Sequence, residues 1–140
     1  MADLVITASA ITPGTATGFS FNKSTGLSGE GITAGQSVYL KSSDSKIYLA
    51  DANASVDTAA AVGISLHAAL AGQPISYGTS GPLNFGVILL AGKWYVVSAT
   101  PGGIAPVADL TTGWYSTMLM YGYSTSIGIL MPTVTGIICA

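Results

Sequence analysis

Apolar residues recur along this chain in short runs, and glycine, serine and threonine separate the runs. No stretch keeps a sustained 3.6-residue apolar period, so helices are expected to be minor. The clearest pattern lies at residues 31–51, GITAGQSVYLKSSDSKIYLAD. An apolar run at 37–40 is followed by a polar turn at 41–46 and a second apolar run at 47–50. That spacing predicts a β-hairpin. The pattern returns at residues 90–109, LAGKWYVVSATPGGIAPVAD. Aligning Ala34-Gly35 with Ala91-Gly92 sets Val38-Tyr39-Leu40 on Tyr95-Val96-Val97 and Ala50-Asp51 on Ala108-Asp109. The offset is 57 residues before the turn and 58 after it, with the second glycine of Gly102-Gly103 as the extra turn residue. We read this as a weak internal duplication.

The rest of the chain also reads as short strands. Val5, Ile6, Thr7 and Ile11 favour a strand in the first dozen residues, which Pro13-Gly14 ends. Residues 15–30 offer one alternating piece, Phe19-Ser20-Phe21, and then a Gly/Ser loop. This segment has the least core potential in the chain and is expected to extend or to dock onto something. A helical turn is plausible only at 51–61, with Asp57 as its cap. Strands are expected at 62–66, 75–77, 83–90, 114–123, 126–131 and 133–139, with a turn at 79–82 and Pro132 dividing the last two. Short strands at this spacing predict an all-β chain. We expect a compact β-barrel or β-sandwich of short antiparallel strands, built from two weakly repeated halves. Residues 1–140 are expected to form one domain, with 1–30 as an extended N-terminal arm and loop.

Composition changes the picture in one respect. Hydrophobic residues make up 49% of the chain and charged residues only 7%, against roughly a quarter charged in ordinary soluble domains. A membrane would explain this, but a spanning helix needs about 20 consecutive apolar residues, and no run here comes near that. The start, Met-Ala-Asp-Leu, has no basic region before an apolar stretch, so no secretory leader is expected. The alternatives are a surface coated with Ser, Thr and Gly or one covered by partners. Nucleic acid is set aside as a partner. Four scattered lysines (Lys23, Lys41, Lys46, Lys93), no arginine and a net charge of −2 cannot supply the clustered cations that displace counterions from phosphates. The single Cys139 allows no internal disulfide and, in an apolar tail, is expected to be a buried inert thiol.

Reactive groups are sparse. His67 ends an expected strand, and no acid can be placed beside it. There is no Gly-x-Ser-x-Gly elbow, only Gly78-Thr79-Ser80-Gly81. One histidine and one cysteine cannot build a zinc site. Asp44, Asp51 and Asp57 lack the alternate spacing of a calcium loop and are expected to cap turns. Gly92-Lys93 is followed by Trp94, so it is no phosphate loop. Six acids give no supported glycosidase pair. We assign no catalytic, cofactor-binding or metal-binding residue, and do not expect an enzyme.

The aromatic residues say more. Trp94-Tyr95 and Trp114-Tyr115 are two Trp-Tyr pairs, with Tyr121 and Tyr123 nearby. Neighbours on a strand point to opposite faces, so one member of each pair goes to the core and the other outward or to a partner. Two readings stand: both tryptophans belong to the core, or one or more of these aromatics is an exposed interface anchor. The candidate partner-interface residues are Leu4, Val5, Ile6, Phe19, Phe21, Trp94, Trp114, Tyr115, Tyr121 and Tyr123. The same aromatics could serve a carbohydrate-binding or adhesion β-module. Such a platform wants amide or acid partners, and only Asn22, Asn53, Asn84, Gln36 and Gln73 supply amides.

Four pieces resemble the small capsid decoration (cement) proteins of tailed bacteriophages. They are MADLVITASAI, GITAGQSVYLKSSDSKIYLADANA, AAAVGISLHAALAGQPISYGTSG and LLAGKWYVVSATPGGIAPVADLTTGWYSTMLMYG. The family pattern runs from an initial strand through Ile-Thr-Ala-Gly-Gln, a Tyr-Leu strand and Leu-Ala-Asp-Ala. It continues with a Val-Gly-Ile strand, a Gly-Gln-Pro strand, a Tyr-Val strand and Gly-Gly-Ile-Ala-Pro. The likeness covers roughly residues 30–125 and the first dozen, while 15–30 and 127–140 match less well. The resemblance implies a β-rich, non-enzymatic protein on the virion exterior, assembled in the host cytoplasm. It also implies a homo-oligomer, with a trimer favoured, that clamps neighbouring major capsid proteins. It brings no cofactor and no catalytic residues. If the first dozen residues are not tied into the protein's own sheet, they are free to add as a strand to a partner's edge.

Overall fold

The hairpin expected at 31–51 forms. β-Branched and aromatic residues fill both its strands, and Asp44 closes the turn by accepting the Lys46 N–H at 3.0 Å. The computed structural model describes residues 3–138, so Cys139 lies outside the described residues. These form ten strands: β1 (Thr12–Pro13), β2 (Asn22–Leu27), β3 (Ser37–Lys41), β4 (Lys46–Leu49), β5 (Ala61–Ser65), β6 (Pro74–Asn84), β7 (Trp94–Val97), β8 (Ile104–Pro106), β9 (Tyr115–Gly122) and β10 (Ile127–Ile138). The all-β expectation holds: the strands pair antiparallel in one sheet curled into a half-barrel. Only two short 3₁₀ turns, Ala8–Ala10 and Val107–Asp109, interrupt them among the described residues.

The sheet order is β4-β3-β5-β6-β10-β9-β7-β8, with β1 and β2 also on β6. Read from its two ends, this is one pattern used twice. Each half begins with a hairpin, β3–β4 or β7–β8. The next strand, β5 or β9, pairs beside the hairpin's first strand, and β6 or β10 follows. The duplication read from the sequence thus reappears in the strand order. One detail changes. Leu40 pairs with Ile47, and Val97 pairs with Ile104, each 57 residues on. The ladder keeps this offset through the turn, so the extra glycine is not needed.

Two cores fill the fold. The larger gathers Tyr39, Ile64, Leu83, Phe85, Tyr95, Leu119, Met120 and Leu130 among others, and the smaller gathers Ile32, Val38, Ile47, Ala69, Ile75 and Tyr77. Val38 joins the smaller and Tyr39 the larger, which is why β3 is apolar at successive positions rather than alternating. Strand β6 connects the cores, with Ile75 and Tyr77 in one and Leu83 in the other. The turn expected at 79–82 is not a turn. β6 runs through it, and Gly81, at φ +89°, bends the strand without ending it.

Other expectations also change. The apolar run 83–90 is not a strand beyond Asn84. Gly86, at φ +78°, turns the chain, which then wraps the β9–β10 turn: Phe85 and Leu89 donate N–H to Ser126 and Thr125 and bury their side chains. β10 continues through Pro132. At 55–60 a single turn forms, capped by Ser55, whose hydroxyl accepts the Thr58 N–H at 3.1 Å. Asp57 does not fill that place.

The extended arm and loop expected over 1–30 are not observed among the described residues: Asn22–Leu27, expected as a Gly/Ser loop, form β2 on β6, and residues 3–13 fold back onto the sheet. Leu4 and Ile6 pack on the larger core, Ile11 is buried, and β1 pairs with β6. The Leu4 N–H donates to the Ile104 carbonyl at 2.8 Å, so this segment covers β8, the strand at one end of the sheet. At the other end Gly29 donates to Ile47 at 2.8 Å, and the Glu30 carboxylate accepts the Leu49 N–H at 2.9 Å. Unpaired strand edges invite unwanted pairing. Here the chain supplies its own cover at both ends of the sheet order.

Candidate functional site

The second hairpin builds the site. On β7, Trp94 and Tyr95 point to opposite faces, as strand alternation requires. Tyr95 is buried and Trp94 keeps 36% of its surface exposed. Across the ladder Trp94 faces Tyr121 of β9, and their rings meet edge to face with centroids 5.1 Å apart. Such pairs add about 0.5–1.5 kcal/mol beyond their buried area, which holds the indole in place.

Beside Trp94 lies an apolar groove of about 310 Å³. The loop before β7 supplies Leu90 and Lys93, the end of β8 supplies Pro106, and the 3₁₀ turn after it supplies Val107. Hydrogen bonds fix that loop. The Leu90 N–H donates to the Tyr95 hydroxyl at 2.9 Å, Gly92 donates to Gly122 at 2.7 Å, and Gly122 donates back to Lys93 at 2.7 Å. Gly92 takes the left-handed conformation, φ +81°, that this tight turn requires. Leu90 and Val87 on the same loop are exposed.

A second aromatic pair joins distant parts of the chain. Phe19 meets Tyr123 edge to face at 6.3 Å, and both rings are exposed. The other candidates disperse. Phe21 packs against the larger core, and half-buried Tyr115 donates its N–H to Ala52 at 2.7 Å. Trp114 also leans on the larger core and lines a separate polar cleft with Asp3, Ser98 and Asp109. Leu4 and Ile6 are half-buried, while Val5 between them points outward with 85% exposure. The structure therefore brings together Trp94 with Tyr121 and Phe19 with Tyr123, and leaves Leu4, Val5, Ile6, Phe21, Trp114 and Tyr115 apart from them. Sequence reasoning missed Leu90, Lys93, Pro106 and Val107. The signal was present in Leu-Ala-Gly-Lys-Trp, where a glycine turn sets an apolar residue beside a tryptophan. The exposed apolar end of β10, with Val134, Ile137 and Ile138, was also missed.

Titratable groups are engaged locally. The His67 Nδ1 bonds the Ala68 carbonyl at 2.9 Å, and its Nε2 accepts the Ser76 N–H at 3.0 Å. The imidazole thus pins the β5–β6 connection as the Nδ1–H tautomer. Asp44 accepts the Tyr48 hydroxyl at 2.6 Å as well as the Lys46 N–H, and this hydrogen bonding holds its carboxyl below the usual carboxylate range. The same contact, as its largest cause, raises the Tyr48 phenol. Asp51 accepts the Asn53 N–H at 3.1 Å. Asp44 and Asp51 therefore close turns, as expected. Among the described residues no three His, Cys, Asp or Glu side chains gather as a metal site would require. Compared with protein-family models and with curated proteins, the chain matches none.

Proposed function

We propose that this chain is a structural protein of the phage virion. It binds the exterior of an assembled head and stabilises contacts between major capsid proteins. It works as a homo-oligomer, for which the family resemblance favours three copies. The observation that carries this reading is a set of two aromatic contacts at the surface, Trp94–Tyr121 and Phe19–Tyr123. It lies on a chain whose last 31 residues, after Asp109, hold no charged side chain. Such a surface is covered at small cost, because few ions must be stripped of water. A protein that binds only the assembled shell stabilises it by mass action, by about 2.7 kcal/mol per site at a hundredfold excess over its dissociation constant.

The test is co-sedimentation with expanded heads that lack decoration, followed by heating with and without the protein. Binding together with a raised head-disruption temperature is the expected result. Protein left in the supernatant at saturating concentration overturns the proposal. The rival reading, a glycan-binding module, has less support: the groove at Trp94 has no asparagine or glutamine in its lining. Saturable quenching of tryptophan fluorescence by a glycan would favour it.

A further inference from the structure

We infer that the Trp94 groove takes a protein segment that presents an apolar side chain with a carboxylate beside it. The inference deepens the capsid-binding reading and rests on it, because it names the chemistry the shell protein would bring to this face.

Three features of the groove point to that occupant. Its walls, Leu90, Pro106 and Val107 with Trp94, are apolar, so they gain from an apolar side chain and gain nothing from a sugar hydroxyl. Its one charged lining residue is Lys93, whose ammonium has no ion pair or hydrogen bond among the described residues. The other cations sit on other strands: Lys41 lies 4.9 Å over the Tyr48 ring, Lys46 is on β4 and Lys23 on β2. A carboxylate next to the buried apolar group would find in Lys93 its only complementary charge among the described residues of the groove. The third feature is rigidity. The Tyr95–Leu90 hydrogen bond, the paired Gly92–Gly122–Lys93 bonds and the Trp94–Tyr121 contact form the groove before anything binds, so little ordering is left to oppose binding.

Main-chain strand addition is a poor alternative here. Pro106 has no N–H to offer, the chain turns away at Val107–Asp109, and Leu4 already occupies the Ile104 carbonyl. Recognition therefore falls to side chains.

The experiment compares wild type with Trp94→Ala, Lys93→Gln and Lys93→Glu, each confirmed folded by circular dichroism, in co-sedimentation with undecorated expanded heads. Trp94→Ala should weaken binding at least about tenfold, as central interface tryptophans do. Lys93→Gln should weaken it by up to about fivefold, the size of an exposed ion pair, and Lys93→Glu by more. Raising salt should weaken wild type and leave Lys93→Gln unchanged. If wild type binds and Lys93→Glu binds equally well, the inference is wrong while the capsid reading stands. If wild type does not bind heads, the capsid reading fails. The groove is then tested by following the Trp94 indole N–H by NMR against a blocked tetrapeptide of two leucines, a proline and a glutamate, and against its glutamine counterpart. A shift that saturates with the glutamate peptide and is weaker with glutamine supports the groove chemistry. No shift, or equal shifts, overturns it, as does displacement by a glycan.

Discussion

Gly81 lies so close to the backbone of Ser20 that a β-carbon on Gly81 would fall inside the Ser20 carbonyl oxygen. This contact sits at the bend of β6, the strand shared by both cores, and Gly81 itself adopts φ +89°. Two penalties should add on Gly81→Ala: the left-handed conformation and the overlap with main chain that cannot rotate away. Gly72 provides the control, since it has nearly the same φ, +85°, and nothing within 4 Å of an added β-carbon. Gly72→Ala should cost about 1–2 kcal/mol. Gly81→Ala should cost about 3 kcal/mol or more. Urea unfolding of the two variants checks this, and equal midpoints would mean that the Ser20 contact is not what requires glycine at the bend.

The Asp44–Tyr48 pair predicts a pH dependence. The Tyr48 hydroxyl is the main cause that lowers the Asp44 pKa. A carboxyl depressed in the folded state adds stability above its unfolded value, and that contribution is lost as pH falls through the folded value. The affected window therefore begins near the ordinary aspartate value of about 3.9 and extends below it. Tyr48→Phe should return Asp44 toward the ordinary range, which an NMR titration of the Asp44 carboxyl carbon would show. Asp44→Asn should flatten stability across the same window. An unchanged Asp44 titration in Tyr48→Phe would assign the shift to the Lys46 N–H and the neighbouring lysines instead.

Asp3 anchors the segment that covers β8. Its carboxylate accepts the Ser98 hydroxyl at 2.7 and 2.8 Å, next to the Leu4–Ile104 bond. Hydrogen bonds to a charged group contribute about 1.5–3 kcal/mol when well formed. Asp3→Ala should cost about 1–2 kcal/mol, at the low end because the site is half-buried. It should also speed hydrogen exchange at the Leu4 amide while the β9–β10 amides stay protected. Unchanged exchange at Leu4 would show that Leu4 and Ile6 hold the segment by packing alone.

Much of the fold was legible because it follows local pattern. The hairpin at 37–49 and its echo at 94–106 are set by apolar runs flanking polar or glycine turns, and both pair as expected. The errors fall where a distant contact decides. Gly81-Pro82 reads as a turn until Ser20 and Phe21 are seen to close over it. Residues 83–90 read as a strand because their apolar pattern does not reveal that Phe85 and Leu89 will wrap the turn at 122–126. Whether the first dozen residues join the fold or extend from it is open in the sequence, because nothing local shows that Ser98 and Ile104, some hundred positions on, await Asp3 and Leu4. The site shows the same division. Strand alternation makes it legible that Trp94 and Tyr95 face opposite ways but not which of them is exposed, and the far wall at Pro106 and Val107 depends on how the hairpin closes.

Tyr95 links fold to site, and removing its hydroxyl separates the two roles. The ring is buried in the larger core, and its hydroxyl accepts the Leu90 N–H at 2.9 Å. Tyr95→Phe keeps the ring and removes the acceptor. The Leu90 amide then faces either water or a lost bond, at a cost of about 1 kcal/mol. Because Gly92 and Lys93 are held separately by Gly122, only the Leu90 side of the groove should loosen. Faster hydrogen exchange is expected at Leu90, with the β7–β9 ladder amides unchanged. Since a preformed groove binds with less ordering, the proposed head binding should weaken by a few fold and mainly through faster dissociation. Full binding with a freely exchanging Leu90 amide would show that the loop need not be fixed for the groove to work.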